Sequence, residues 1–233
     1  MKTDITCPHV LICIFYLFVS HALTSNGIAQ IPDSLEGKVD MLGGSVGEND
    51  SSKAYFLKLG PEVVPIVTQK LKQSLSEGAS PEGSEKFAII DMPEVDQKRV
   101  RHQIGLITMQ GIALENMSLA PEVRKEALDS LYKALRSPYQ ISRKIAMYWA
   151  AYGAGSEAID QMIPLLNDPE ISNRYTAAEM LAIVGDASTA DKIEEVLEQR
   201  RRKLNAQQVE KDGSFRVGYE AIRKLRSKAP ATP

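Results

Sequence analysis

Few residues in this chain have the types and spacing that catalysis needs. Gly43-Gly44-Ser45-Val46-Gly47 fits G-x-S-x-G, the pattern that holds a serine nucleophile on a strand-to-helix turn. That chemistry also needs a partner histidine and an α/β framework. Beyond residue 30 the chain has a single histidine, His102, and no alternation of strand and helix patterns. A flexible glycine turn explains the motif. His102 follows Lys98, Arg99 and Arg101, with no cysteine or paired carboxylate near it in sequence. Zinc ligand sets need three or four such groups, so His102 reads as a surface histidine. Glu194-Glu195 lies on a charged helix face with Arg200 and Arg201 nearby, the ordinary pattern of a solvated helix. No phosphate-binding glycine loop, EF-hand loop or H-E-x-x-H is present. The sequence therefore points to no catalytic residue, no cofactor and no metal.

The residues left with something to bind are basic. Formal net charge is −2, yet the stretch from Arg200 to Lys228 has a net charge of +7, so the rest of the chain carries −9. Arg200, Arg201, Arg202 and Lys203 form the densest cluster and are candidate partner-binding residues. Such a patch suits an anionic partner, whether an acidic protein, a phospholipid headgroup or a polyanion; a solvated helix end is the plain alternative. The overall acidity gives no reason to expect nucleic acid. Arg143 and Arg174, 31 residues apart, are two further candidates. Their equivalent positions leave two readings open: a ladder on one surface, or internal bonds to backbone and carboxylates between repeats.

That 31-residue spacing organises the middle of the chain. Pro138 and Pro169 share it, as do Leu166 and Leu197, within two near-copies that run from Ser137 to Gln199. A period of this length, made of two helical patterns, predicts stacked helix pairs. Helical periodicity holds elsewhere too: Val63, Val64, Val67, Leu71 and Leu75 mark one apolar face, and Val123, Ala127, Leu131 and Leu135 another. Gly60 before Pro61-Glu62 reads as a helix end followed by a helix start. Asp168-Pro169-Glu170 reads as an N-cap, a first-turn proline and an early carboxylate. The Tyr139 to Gly153 helix is apolar nearly all round, which predicts that it is sandwiched between neighbours. On it Tyr148, Trp149 and Tyr152 read as core packing rather than as an aromatic ligand groove. The expectation is all-α, an α-solenoid of about four antiparallel helix pairs over residues 53–228. An insert occupies 76–97, with an apolar island at Phe87-Ala88-Ile89-Ile90. Residues 30–52 read as a loose lead-in with a short helix around Lys38 to Leu42, and 229–233 as a disordered tail.

The first residues read as an export signal. The apolar run Val10 to Val19 is too short to cross a hydrocarbon core of ~30 Å as a helix, and it fits a signal-peptide core. Ser20-His21-Ala22 presents small residues for cleavage after Ala22, and Gly27-Ile28-Ala29 for a later cut. Both cysteines, Cys7 and Cys13, lie in this leader, so the mature chain would hold no disulfide and no stable membrane span.

These patterns resemble the HEAT repeat, in the short HEAT-like form first associated with phycobilisome lyases. Arg174-Tyr175-Thr176-Ala177-Ala178-Glu179-Met180-Leu181 with Val184-Gly185-Asp186 is similar to that family's first helix and turn. Leu59-Gly60-Pro61-Glu62-Val63-Val64-Pro65 is similar to its inter-helix turn and second helix. The resemblance covers most of Ala54 to Gln199 and, more faintly, Gly218 to Lys228. It implies a HEAT-like superhelix and, as in most such proteins, a scaffold that mediates protein–protein interaction. The lyase members attach bilins to cysteines of partner proteins, which implies the alternative of an accessory or maturation factor. No residue set here carries the lyase chemistry across.

Overall fold

The computed structural model describes residues 32–43, 50–77 and 89–228. Their regular structure is all helical, with no strand among the described residues. The long elements are α1 (Leu35–Leu42), α2 (Asp50–Lys58), α3 (Val64–Ser76), α4 (Glu94–Asn116), α5 (Pro121–Ala134) and α6 (Gln140–Ala154). After residues 155–167, which hold α7 (Ile159–Met162) between two 3-10 turns, come α8 (Ile171–Val184) and α9 (Ala187–Arg201). A short α10 (Ala206–Lys211) and then α11 (Ser214–Ser227) close the described chain. None of these helices is long and apolar enough to cross a membrane.

Punctuation places the boundaries. Gly60, at φ 79°, occupies a backbone region that favours glycine, and Pro61 opens the 3-10 turn ahead of α3. Asp186 caps α9: its carboxylate accepts from the Thr189 N–H at 3.0 Å, while Thr189 Oγ1 accepts from the Asp186 N–H at 3.2 Å. The Asp168 turn differs from its expected role, because the N-cap of α8 is Glu170 and Asp168 stands two residues before it.

The helices lie in two rows. In one row α4, α6, α8 and α11 each pack on the next. In the other, α3 packs on α5, and residues 163–167 pack on α9; α3 also packs on α4, α5 on α6, and α9 on α11. Ion pairs cross between neighbours in this second row: Lys72–Glu126 at 3.2 Å, Arg124–Glu157 at 2.9 Å and Lys192–Asp160 at 2.7 Å. All three are largely exposed and contribute at most about 1 kcal/mol each. The core between the rows is aliphatic, built from Leu106, Ile107, Met109, Leu131, Met147, Leu166, Leu181 and Ile193 among others, all essentially buried.

Three regions depart from the sequence expectation. The lead-in is not loose over its described part: α1 buries Val39 and Leu42, and the Gly43 backbone lies so close to Gly105 of α4 that a Cβ there would overlap it. The interval 76–97 is shorter than expected, since α4 already begins at Glu94. Of its apolar island, Ile89 packs on a small cluster of Met92, Val100, Tyr139 and Ile141, while Phe87 and Ala88 lie outside the described residues. Lastly, α6 has a half-wet face, where Tyr152 is 48% exposed and Tyr148 and Trp149 are half-buried. The leader, Cys7, Cys13, Ser45 and the tail 229–233 also lie outside the described residues.

The Asp186 cap makes one testable statement about acid. Bonds from Ser188 and Thr189 hold its carboxyl at about 2, below the ordinary 3.8. A folded value below the unfolded one means that the contribution is present above pH ~4 and is lost as pH falls toward 2. Asp186→Asn keeps a capping oxygen but removes the titration. Denaturant midpoints measured from pH 5 to pH 2 should therefore fall less steeply in this variant. An unchanged acid limb would show that the cap carboxylate contributes nothing to it.

Candidate partner-binding site

Three turns lead into helices of the first row: Ser137-Pro138 before α6, Asp168-Pro169 before α8, and Asp212-Gly213 before α11. In each, a side-chain oxygen of the first residue accepts the backbone N–H two positions on. The bonds are Ser137 Oγ to Tyr139 at 3.3 Å, Asp168 Oδ1 to Glu170 at 2.9 Å and Asp212 Oδ1 to Ser214 at 3.1 Å.

Arg143 and Arg174 tie these turns together. Arg143 donates to the Ser137 and Pro138 carbonyls at 2.9 and 3.1 Å, and Arg174 donates to those of Asp168 and Pro169 at 2.8 and 2.9 Å. The two sets of bonds are the same, one repeat apart. The remaining guanidinium nitrogens reach the next turn. Arg143 binds Asp168 through two nitrogens, at 2.7 and 2.9 Å, and Arg174 Nη2 binds Asp212 at 3.1 Å. Of the two sequence readings, the internal one is therefore what the structure contains. Both arginines are mostly buried, 12% and 13% exposed, and neither is available to a partner as a free cation.

Arg200 belongs to the same ladder, not to the exposed cluster in which its sequence neighbours placed it. It donates to the Leu166 carbonyl at 3.2 Å and to Ser214 Oγ at 2.9 Å, and it pairs with Asp212. Its guanidinium also lies 4.8 Å from the centre of the Phe215 ring. Two arginines thus share the Asp212 carboxylate. Burial, and then the charge of Arg174 beside it, push the Arg200 guanidinium down to about 10, which leaves it charged at neutral pH.

Asp168 to Asp212 is 44 residues, against 31 from Ser137 to Asp168. Leu166 and Leu197 still keep the shorter spacing, so the thirteen extra residues fall after Leu197. They contain the basic cluster and α10. Arg200 pins the root of this insert; Arg201, Arg202 and Lys203 are exposed at its start. Arg201 stands 3.7 Å from Glu198 and also interacts with Tyr219, while Arg202 and Lys203 have no ion pair among the described residues.

The other sequence candidates lie apart from this site. Glu194 pairs with Arg226 at 2.7 Å and not with Arg200 or Arg201; Glu195 accepts from Gln199 at 3.1 Å. His102 lines a shallow cleft with Lys70, Gln73, Ser74, Glu77 and Arg99. The cations of that cleft are already matched, Lys70 by Asp40 at 2.9 Å and Arg99 by Glu77 at 3.1 Å. Sequence reasoning missed Asp212, whose spacing from Asp168 breaks the period. It also missed Arg216 and Arg223, exposed on α11 and without an ion pair among the described residues. Their three- and four-residue offsets from Tyr219 were the available signal. Comparison of the chain with protein-family models, with curated proteins and with solved structures finds no match.

Proposed function

We propose that this protein is an exported, non-enzymatic HEAT-like scaffold, an α-solenoid of about four antiparallel helix pairs whose surface holds another protein. One observation carries the reading: the same arginine-to-turn bonds recur one repeat apart, at the junctions of a continuous row of helices. Such a bond set repeats when successive units meet their neighbours in the same way, which is how solenoids are built. Stacked units of this kind offer an extended surface, and their work is to bind. Export rests on the apolar run Val10 to Val19.

The test is cross-linking and affinity capture of the mature chain from its native compartment, followed by mass spectrometry. A partner recovered in fixed stoichiometry, unaltered by the encounter, is the expected result. A partner released with a new covalent modification would replace the scaffold by a maturation factor. In the same spectra the mature chain should begin after Ala22 or Ala29, and an intact N-terminus would overturn export.

A further inference from the structure

We infer that the partner binds through a short acidic segment laid across the edge formed by the insert and α11, against Arg202, Lys203, Arg216 and Arg223. This rests on the scaffold reading and names where and by what chemistry the scaffold is engaged.

The first support is how the cations of the C-terminal end are used. Asp212 holds Arg200, and Arg226 pairs with Asp191 at 2.9 Å and Glu194 at 2.7 Å. Lys228 donates to the Ile183 and Gly185 carbonyls at 3.1 and 2.8 Å, closing the end of α8. Lys224 stands 3.8 Å from Glu220. Arg202, Lys203, Lys211, Arg216 and Arg223 are exposed and have no ion pair among the described residues. The excess charge of this end is therefore concentrated on a few side chains that face solvent.

The second support is their placement. α9 packs on α11, and Tyr219 of α11 donates to Glu198 of α9 at 2.6 Å. Arg216 and Arg223 stand three residues before and four residues after Tyr219, on the same helix face. Arg201, which closes α9, interacts with Tyr219 as well. The end of α9 and the basic stripe of α11 thus border one surface, and Tyr219 and Arg201 already occupy the Glu198 carboxylate between them. Just before α11, Arg174 and Arg200 share the single carboxylate of Asp212, which adds to the positive field.

The third support selects the partner. Outside Arg200 to Lys228 the chain carries a net −9. A long polyanion or an anionic membrane plane would meet repulsion beyond the patch, over distances of about a Debye length, ~10 Å at 0.1 M salt. A carboxylate-bearing segment no longer than the patch stays within the local excess of positive charge, where Glu220 stands beside Lys224 and Glu210 is the other exposed carboxylate.

The probe is a fluorescent peptide of about twelve glutamates, titrated by anisotropy against the full mature chain at low salt and again at roughly 0.5 M salt. Binding that weakens about tenfold or more with salt is expected. Arg202→Glu/Lys203→Glu/Arg216→Glu/Arg223→Glu should weaken it at least as much. The matched control Lys98→Glu/Arg101→Glu/Lys125→Glu/Lys133→Glu, on exposed cations elsewhere, should stay within about twofold. If the first quadruple variant does not keep the helical spectrum, Arg202→Gln/Lys203→Gln should still weaken binding several-fold. Equal losses in both sets overturn the inference, as does no binding at low salt. Tighter binding of a twelve-nucleotide single strand or of phosphatidylglycerol vesicles overturns it too. A protein partner captured in fixed stoichiometry but cross-linked to another surface overturns this inference and leaves the scaffold standing. Failure to capture any partner, with the peptide still bound at the patch, sinks the scaffold reading instead.

Discussion

Asp168→Ala should lower the stability of the fold by about 3–5 kcal/mol, the range for removing one partner of a buried ion pair. The Asp168 side chain is 1% exposed. It receives two guanidinium N–H groups of Arg143 at 2.7 and 2.9 Å, the Glu170 N–H at 2.9 Å and the Asn173 amide at 3.3 Å. Alanine would leave the buried Arg143 charge with the Ser137 and Pro138 carbonyls and no counter-ion. For a domain of this size the loss corresponds to a fall in Tm on the order of 10 °C. Urea midpoints would measure it, with Glu94→Ala as the comparison, since the Lys98–Glu94 pair is 76% and 79% exposed and its loss should be much the smaller. Arg143→Met/Asp168→Leu should recover most of the loss, because the cost lies in the orphaned charge more than in the absent bond. A fall under about 1 kcal/mol for Asp168→Ala would mean that this rung does not hold the two helices together.

The same rung shows why part of the fold was legible in the sequence and part was not. Arg143 and Arg174 each grip carbonyls only five and six residues upstream, so the constraint repeats wherever the turn repeats, and it surfaces as the 31-residue spacing. The prolines and leucines of that spacing are local for the same reason. Arg200 is different. Its bond to the Leu166 carbonyl spans 34 residues, and its bond to Asp212 depends on an insert that breaks the period. Read along the chain, it is one of four adjacent cations; in the fold it is the one turned inward. The Asp168 carboxylate likewise has the look of a helix cap, because Asp-Pro-Glu has that form, while the partner that matters most to it lies 25 residues upstream. The packing of α1 was hidden because Val39 and Leu42 sit among glycine, aspartate and serine, and what places them in the core is distant in sequence: α1 packs on α3, and the Gly43 backbone at its end sits against Gly105 of α4.

Trp149→Ala should cost about 3 kcal/mol, the low end for a large aromatic truncated in a core, because the indole is only half-buried. Its place is set by Gly111 of α4, where a Cβ would overlap the indole at Cγ, Cδ2 and Cε3. On a bare helix, Gly111→Ala would gain about 1 kcal/mol from backbone entropy. Here the indole must move, and the net effect should instead be a loss of about 1–3 kcal/mol. The two changes should not add. Once the indole is gone, the alanine methyl enters space the ring has left and the helix gains its propensity. Gly111→Ala/Trp149→Ala should then be less destabilised than the sum of the singles by about 0.5–3 kcal/mol. Tyr152, one turn along and 48% exposed, should tolerate alanine within about 0.5 kcal/mol. This set separates a packed indole from an aromatic ligand groove. In a groove, Trp149→Ala would leave stability intact and remove binding, and the double variant would cost no more and no less than Gly111→Ala alone.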